Sequence, residues 1–159
     1  MTRSLILLAA LLLTASFAQI VRAQLATVDE LWSEVSRTVG SGDFEGYAAT
    51  YHADAILVNG ISGTSYPISS ALAGWKQGFD DTNDGKQQSG VEFRFTQRLS
   101  DATTAHDTGI FHYWYKPEGG ERTDAYVEFE ALLVNKDGWK MIMEYQKKQV
   151  TRDEWDALD

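Results

Sequence analysis

From Val91 onward apolar residues recur at every second position, whereas before it they recur at helical spacing, and no other feature of the sequence constrains the fold as strongly. Val91, Phe93, Phe95 and Leu99 alternate with Glu92, Arg94 and Arg98; Val127, Phe129, Ala131 and Leu133 alternate with Glu128 and Glu130. Trp139, Met141, Met143 and Tyr145 extend the odd-numbered set. Short turn sequences at Ser100-Asp101, Glu118-Gly119-Gly120 and Lys136-Asp137-Gly138 divide this half into four long strands. Connections so short place consecutive strands side by side and antiparallel.

Ahead of the strands lie three helices. Thr27-Val28-Asp29-Glu30 has the capping-box pattern, and Val28, Leu31, Trp32, Val35 and Val39 follow on one face until Gly40 and Gly42. Asp43 can cap a second helix that carries Phe44, Tyr47, Ala48 and Tyr51 on one stripe. The segments 55–58 and 61–64 flank an Asn59-Gly60 turn and predict a small hairpin. Pro67 opens a third helix with Ile68, Leu72, Trp75 and Phe79 on one face, ending at Asn83-Asp84-Gly85. Thr151 with Glu154 three residues on predicts a short last helix using Trp155 and Leu158. The fold class expected is α+β: a twisted antiparallel sheet of four long strands packed on three N-terminal helices, with a small extra hairpin.

The chain starts with a different kind of signal. Arg3 precedes an apolar run from Leu5 to Leu13 that is too short for the roughly 20 residues of a membrane-spanning helix. It reads as a secretory signal peptide within residues 1–23, cut after Ala18 or Ala23, leaving 24–159 as one domain in the periplasm or outside the cell. Loss of Arg3 and Arg22 changes the net charge from −9 to −11, from 12 basic against 23 acidic residues. No basic stripe is present, so neither nucleic acid nor, once the signal is cut, an anionic membrane is an expected partner. With no cysteine, disulfides and thiol chemistry are excluded. Three histidines without a close ligand spacing give no metal site, and no phosphate loop or dinucleotide fingerprint calls for a cofactor.

Gly42-Asp43-Phe44-Glu45-Gly46, then Tyr51-His52-Ala53-Asp54-Ala55, and the late turn Asp137-Gly138-Trp139-Lys140 together resemble the nuclear transport factor two-like superfamily. The likeness is to its SnoaL-like branch, with ketosteroid isomerase and the calcium/calmodulin-dependent kinase association domain as distant relatives. The resemblance implies a cone-shaped fold with a pocket for a small organic molecule. Aligned without a gap through Gly42-Asp43, the isomerase's tyrosine falls on Val35 and its proton-abstracting aspartate on Asn59. Valine cannot donate and an amide is no base, so steroid isomerisation by that mechanism is excluded. The pocket arginines of the kinase domain fall on Glu130 and Gln146, which implies that the even-numbered face lines the pocket.

A three-residue loop at 136–138 sets Asn135 against Trp139, Glu130 against Glu144, and Glu128 against Gln146. Two carboxyls facing each other in a closed pocket favour a shared proton and acid/base chemistry near neutrality; on a solvated face they are surface charges. His112 and Trp114 share that face in one of two possible registers. Glu130, Glu144 and His112 are therefore the candidate catalytic groups, for hydrolysis, dehydration or isomerisation. Tyr51, Asn59, Trp75, Trp114, Glu128 and Gln146 are the candidate pocket residues. The competing expectation is a non-catalytic dimerisation or protein-interaction module whose partner interface is the face carrying Ile110, Trp114, Tyr126, Leu132 and Ile142; a homodimer is expected, and it is compatible with a pocket as well.

Overall fold

The computed structural model describes residues 27–159. The segment read as a signal peptide, with its two candidate cut sites, lies outside the described residues. Helix α1 spans 27–41 and α2 spans Phe44–Ala49; strands β1 (Tyr51–Asn59) and β2 (Thr64–Pro67) follow, and then α3 (Ile68–Asn83). Strands β3 (Gln87–Ser100), β4 (Thr104–Pro117), β5 (Thr123–Asn135) and β6 (Trp139–Gln149) precede the closing helix α4 (Arg152–Asp156). The four long strands run antiparallel as the alternation predicts, and the small hairpin joins them in one six-stranded sheet ordered β2-β1-β6-β5-β4-β3. Its strand β1 lies parallel to β6, so the sheet is mixed.

The turn between α1 and α2 depends on glycine. Gly42 sits at φ 72°, and a Cβ there would lie 2.3 Å from the Asn83 nitrogen and 2.6 Å from the Phe79 carbonyl at the end of α3. No other residue fits both the backbone and the space. Asp43 then caps α2 by accepting a hydrogen bond from the Gly46 amide at 2.9 Å. The helix stops at Ala49, so Tyr51 opens β1 instead of closing the helical stripe: its pairing with Met141 of β6 supersedes local helical spacing.

Helices α1 and α3 cover one face of the sheet. Trp32 of α1 packs its ring on Phe93, Phe95 and Phe129, at centroid distances of 4.6, 5.5 and 5.6 Å. It also donates from Nε1 to the wholly buried Asp107 at 2.7 Å, and Arg98 bridges Asp107 to Asp29. A buried carboxylate survives in a core only with such partners, and these tie α1 to β3 and β4. The opposite face of the sheet is covered in part by α4. Thr151 and Glu154 form the expected capping box, and Trp155 packs against His112, Tyr126 and the Arg94 guanidinium.

The register departs from simple alternation in β6. Asn135 does face Trp139, but Leu133 pairs with Met141 and Leu132 with Met143, leaving Ile142 as an extra residue in a β-bulge. Beyond it Glu144 faces Ala131, and Glu130 faces Tyr145. The expected Glu130–Glu144 pair is thereby undone, and a second irregularity at Lys147 replaces the Glu128–Gln146 pair with Glu128–Lys148. Among the described residues no helix is long and apolar enough to cross a membrane.

Candidate functional site

Between the helices and the covered face of the sheet is a cavity of about 500 Å³. Its walls are aromatic: Trp32 of α1, Tyr47 of α2, Trp75 and Phe79 of α3, Phe93 of β3, Phe111 and Tyr113 of β4 and Phe129 of β5. Tyr47 packs edge-on against Trp75 and is tilted against Phe79. Ile61, in the β1–β2 turn, forms part of the rim and is 47% exposed.

Strand β6 supplies the polar floor. The bulge at Ile142 reverses the phase of the strand, so Glu144 and Gln146 enter the cavity while the more apolar Met143 and Tyr145 face away. Among the described residues, Glu144 is the only acidic one in the lining, which includes no lysine, arginine or histidine. It is 8% exposed, accepts a hydrogen bond from the Tyr51 hydroxyl on Oε2, and accepts another on Oε1 from Gln146 Nε2 at 2.8 Å. The Tyr51 hydroxyl is in turn 3.1 Å from that of Tyr47. Burial pushes the Glu144 carboxyl above its ordinary range, and the bonds from Tyr51 and Gln146 only partly offset this. Tyr51 and Tyr47 are both pushed up, first by burial and next by the nearby carboxyl, so both remain neutral phenols at physiological pH. The arrangement is a chain of three proton-exchanging groups in an apolar enclosure, able to donate or accept at a bound oxygen.

The cavity brings together Glu144, Tyr51, Trp75 and Gln146 from the sequence-derived set. Val35 also lines it, offering an apolar wall and no donor. Asn59 ends β1 outside the lining, where its Oδ1 accepts from the Ser62 amide at 2.9 Å and closes the hairpin turn. Glu128, Glu130, His112 and Trp114 lie on the opposite face of the sheet, which corrects the expectation that the even-numbered face of β4 and β5 lines the pocket. Phe111, Tyr113, Val127 and Phe129 point toward the helices, and their even-numbered neighbours must point away. Glu128 and Glu130 instead clasp Lys147 at 2.8 and 2.9 Å.

His112 does share a face with Glu128 and Glu130, since Ile110 pairs with Glu128 and His112 with Tyr126. Its partner is Asp124, 2.6 Å from Nε2, and it stacks on Tyr126 beneath Trp155. Trp114 lies under the Arg122 guanidinium, 4.4 Å from the ring centroid. Both belong to the packing of the outer face. Among the described residues no group of three or more His, Asp or Glu is placed to hold a metal ion.

Tyr47 was visible in the sequence as part of a helical stripe, but not as a site residue. The available signal was its spacing of four from Tyr51, two phenols on an otherwise apolar path that any core must supply with hydrogen-bond partners.

A curved sheet enclosing a helix-covered cavity defines an α+β cone. Solved structures share this architecture. A conserved protein from Planctomyces limnophilus superposes with a TM-score of 0.64 at 11% identity, over 76% of this chain and 91% of its own. An NTF-2 like protein of unknown function from Shewanella oneidensis matches with a TM-score of 0.58 at 16% identity, over 76% and 96%. A ketosteroid isomerase-like protein from Erwinia carotovora atroseptica gives 0.58 at 14%, over 80% and 96%. The fold of this chain is that of the nuclear transport factor two-like proteins. No family model matches the sequence, and no curated protein matches it significantly.

Proposed function

We propose that the cavity binds a small, largely apolar ring compound through an oxygen function, and that Glu144 acts on it as a general acid or base. One observation carries this reading: among the described residues, the only acidic one in the cavity wall is buried, hydrogen-bonded to Tyr51 and raised above its ordinary titration range. Apolar walls with one or two fixed polar groups suit a small organic ligand. A carboxyl whose titration moves toward neutrality suits proton transfer, as hydrolysis, dehydration and isomerisation of hydroxylated or carbonyl-bearing rings all require. No cofactor enters the proposal. The apolar segment from Leu5 to Leu13 supports export as the setting in which such a molecule is met.

The test is a panel of neutral ring ketones, alcohols and esters, with binding followed by quenching of the cavity tryptophans and turnover by chromatography. Glu144→Gln should leave binding within a few-fold and lower turnover by about 10²–10⁴, the usual worth of a positioned acid or base. Turnover unchanged by that substitution would remove Glu144 from the chemistry, and absence of binding across the panel would remove the ligand.

A second reading, compatible with the first, is self-association through the face of the sheet that α4 leaves bare. The bulge that brings Glu144 inward sends Met143 outward between Leu132 and Ile56, which are 38% and 43% exposed. This row of apolar side chains across three strands is flanked by Glu130 and Lys147, so both signs of charge are offered to a second copy related by a two-fold axis. The row replaces Ile110 and Tyr126 of the sequence-derived set, since α4 overlies that half of the face.

A further inference from the structure

The cavity floor contains more acceptors than directed donors, and the count changes with one proton. With Glu144 ionised, Tyr51 donates to Oε2 and Gln146 donates to Oε1, so the Tyr51 oxygen is left to accept from the Tyr47 hydroxyl 3.1 Å away. The Tyr47 proton then points toward Tyr51, and only Tyr47 lone pairs face the cavity. With Glu144 protonated on Oε2, every step reverses: the carboxyl donates to Tyr51, Tyr51 donates to Tyr47, and the Tyr47 proton is free to point at a ligand. No atom moves more than a hydroxyl rotation requires.

We propose that Glu144, Tyr51 and Tyr47 form a reversible hydrogen-bond wire whose outlet is the Tyr47 hydroxyl, making the cavity selective for a neutral ring ketone when Glu144 is protonated. This rests on the reading of the cavity as a small-molecule site, and it assigns the contact with the ligand's oxygen to Tyr47 instead of to the carboxyl. The groups around Glu144 leave it in control of the switch. Tyr47 of α2, Tyr51 of β1 and Tyr113 of β4 are the other titratable residues of the lining, Gln146 of β6 is neutral, and α1, α3, β3 and β5 contribute no ionisable side chain to it. All three tyrosines are held up by burial first, so the carboxyl is the group of the lining that gives up its proton first as pH rises.

The experiment compares two probes of nearly equal shape, methyl naphthyl ketone and ethylnaphthalene, by tryptophan quenching between about pH 5 and pH 9, a span that runs upward from the ordinary carboxyl value in the direction of the shift. In the unmodified protein the ketone should lose roughly threefold to tenfold in affinity as pH rises, the span that one hydrogen bond is worth, while the hydrocarbon stays constant. Tyr47→Phe should bring the ketone down to the hydrocarbon's affinity at every pH. Tyr51→Phe cuts the wire in the middle and frees Tyr47, so ketone binding should stay tight across the range. A ketone preference that still falls with pH in Tyr47→Phe would overturn the wire and return the contact to Glu144. A preference with no pH dependence in the unmodified protein would overturn the switch. If neither probe binds, the small-molecule reading itself fails, an outcome distinct from binding without switching.

Discussion

A buried carboxyl group opposes folding only while it is charged, and Glu144 shows which way that dependence must run. Its folded-state titration lies above the unfolded value of 4.5, with burial as the leading cause. Between those two values the folded chain holds more protons than the unfolded one, so stability is fully present below about pH 4.5 and is lost as pH rises through the folded value. Glu144→Gln keeps the shape and the hydrogen-bonding capacity but removes the charge. It should therefore abolish this slope and raise the melting temperature at pH 8 relative to the parent, with each kcal/mol worth roughly 3–5 °C in a domain of this size. Scanning calorimetry of both proteins at several pH values gives the comparison; parallel curves would mean that Glu144 is solvated. The same residue shows where single-residue reading succeeds. Glu144, Gln146, Tyr51 and Trp75 were legible as site residues because polar groups in apolar strands and large rings on helical stripes need an interior explanation. Glu130 was legible as unusual for the same reason, but nothing local says that Lys147 will meet it on the outside.

At the scale of the element, the β-bulge at Ile142 is the feature that a binary pattern cannot disclose. Plain alternation would bury Met141, Met143 and Tyr145 and expose Glu144; the strand instead buries Met141 and Glu144 and turns the other two outward. A strand that inverts its own hydrophobic pattern trades stability for what the inverted residues do, and such breaks concentrate at functional sites. The assignment is checkable by truncation. Met141→Ala should cost about 2–5 kcal/mol as a core cavity, whereas Met143→Ala, on the outer face, should cost less than about 1 in dilute protein. Urea unfolding measures both, and equal core-sized losses at the two positions would restore the unbulged strand with Glu144 opposite Glu130. The elements themselves were readable where their causes are local: Gly42-Asp43 forces a turn and a cap, Thr151 with Glu154 starts α4, and hairpin turns fix the order of the long strands. Helical spacing puts Tyr51 on α2, whereas its strand exists through pairing with β6, about 90 residues away.

For the whole molecule, one local irregularity links the inside of the cone to its outside. By moving Glu144 in and Met143 out, the bulge gives the cavity its acid and the bare half of the sheet its apolar row, with Met143 between Ile56 and Leu132. If a second copy covers this row, the interface is isologous and each substituted side chain appears in it twice. Leu132→Glu would then set two carboxylates near each other across the axis beside Glu130, while costing an isolated chain little because Leu132 is already 38% exposed. Sedimentation velocity should find the unmodified protein dimeric at micromolar concentration and the variant monomeric, with unchanged circular dichroism. Since the cavity opens on the opposite side of the sheet, the monomeric variant should still bind the ketone probe with unaltered pH dependence. A parent protein that stays monomeric at 100-fold higher concentration would leave the apolar row without a second copy to cover it. A variant that dissociates and also loses ketone binding would show that the bulge transmits strain between the two faces of β6.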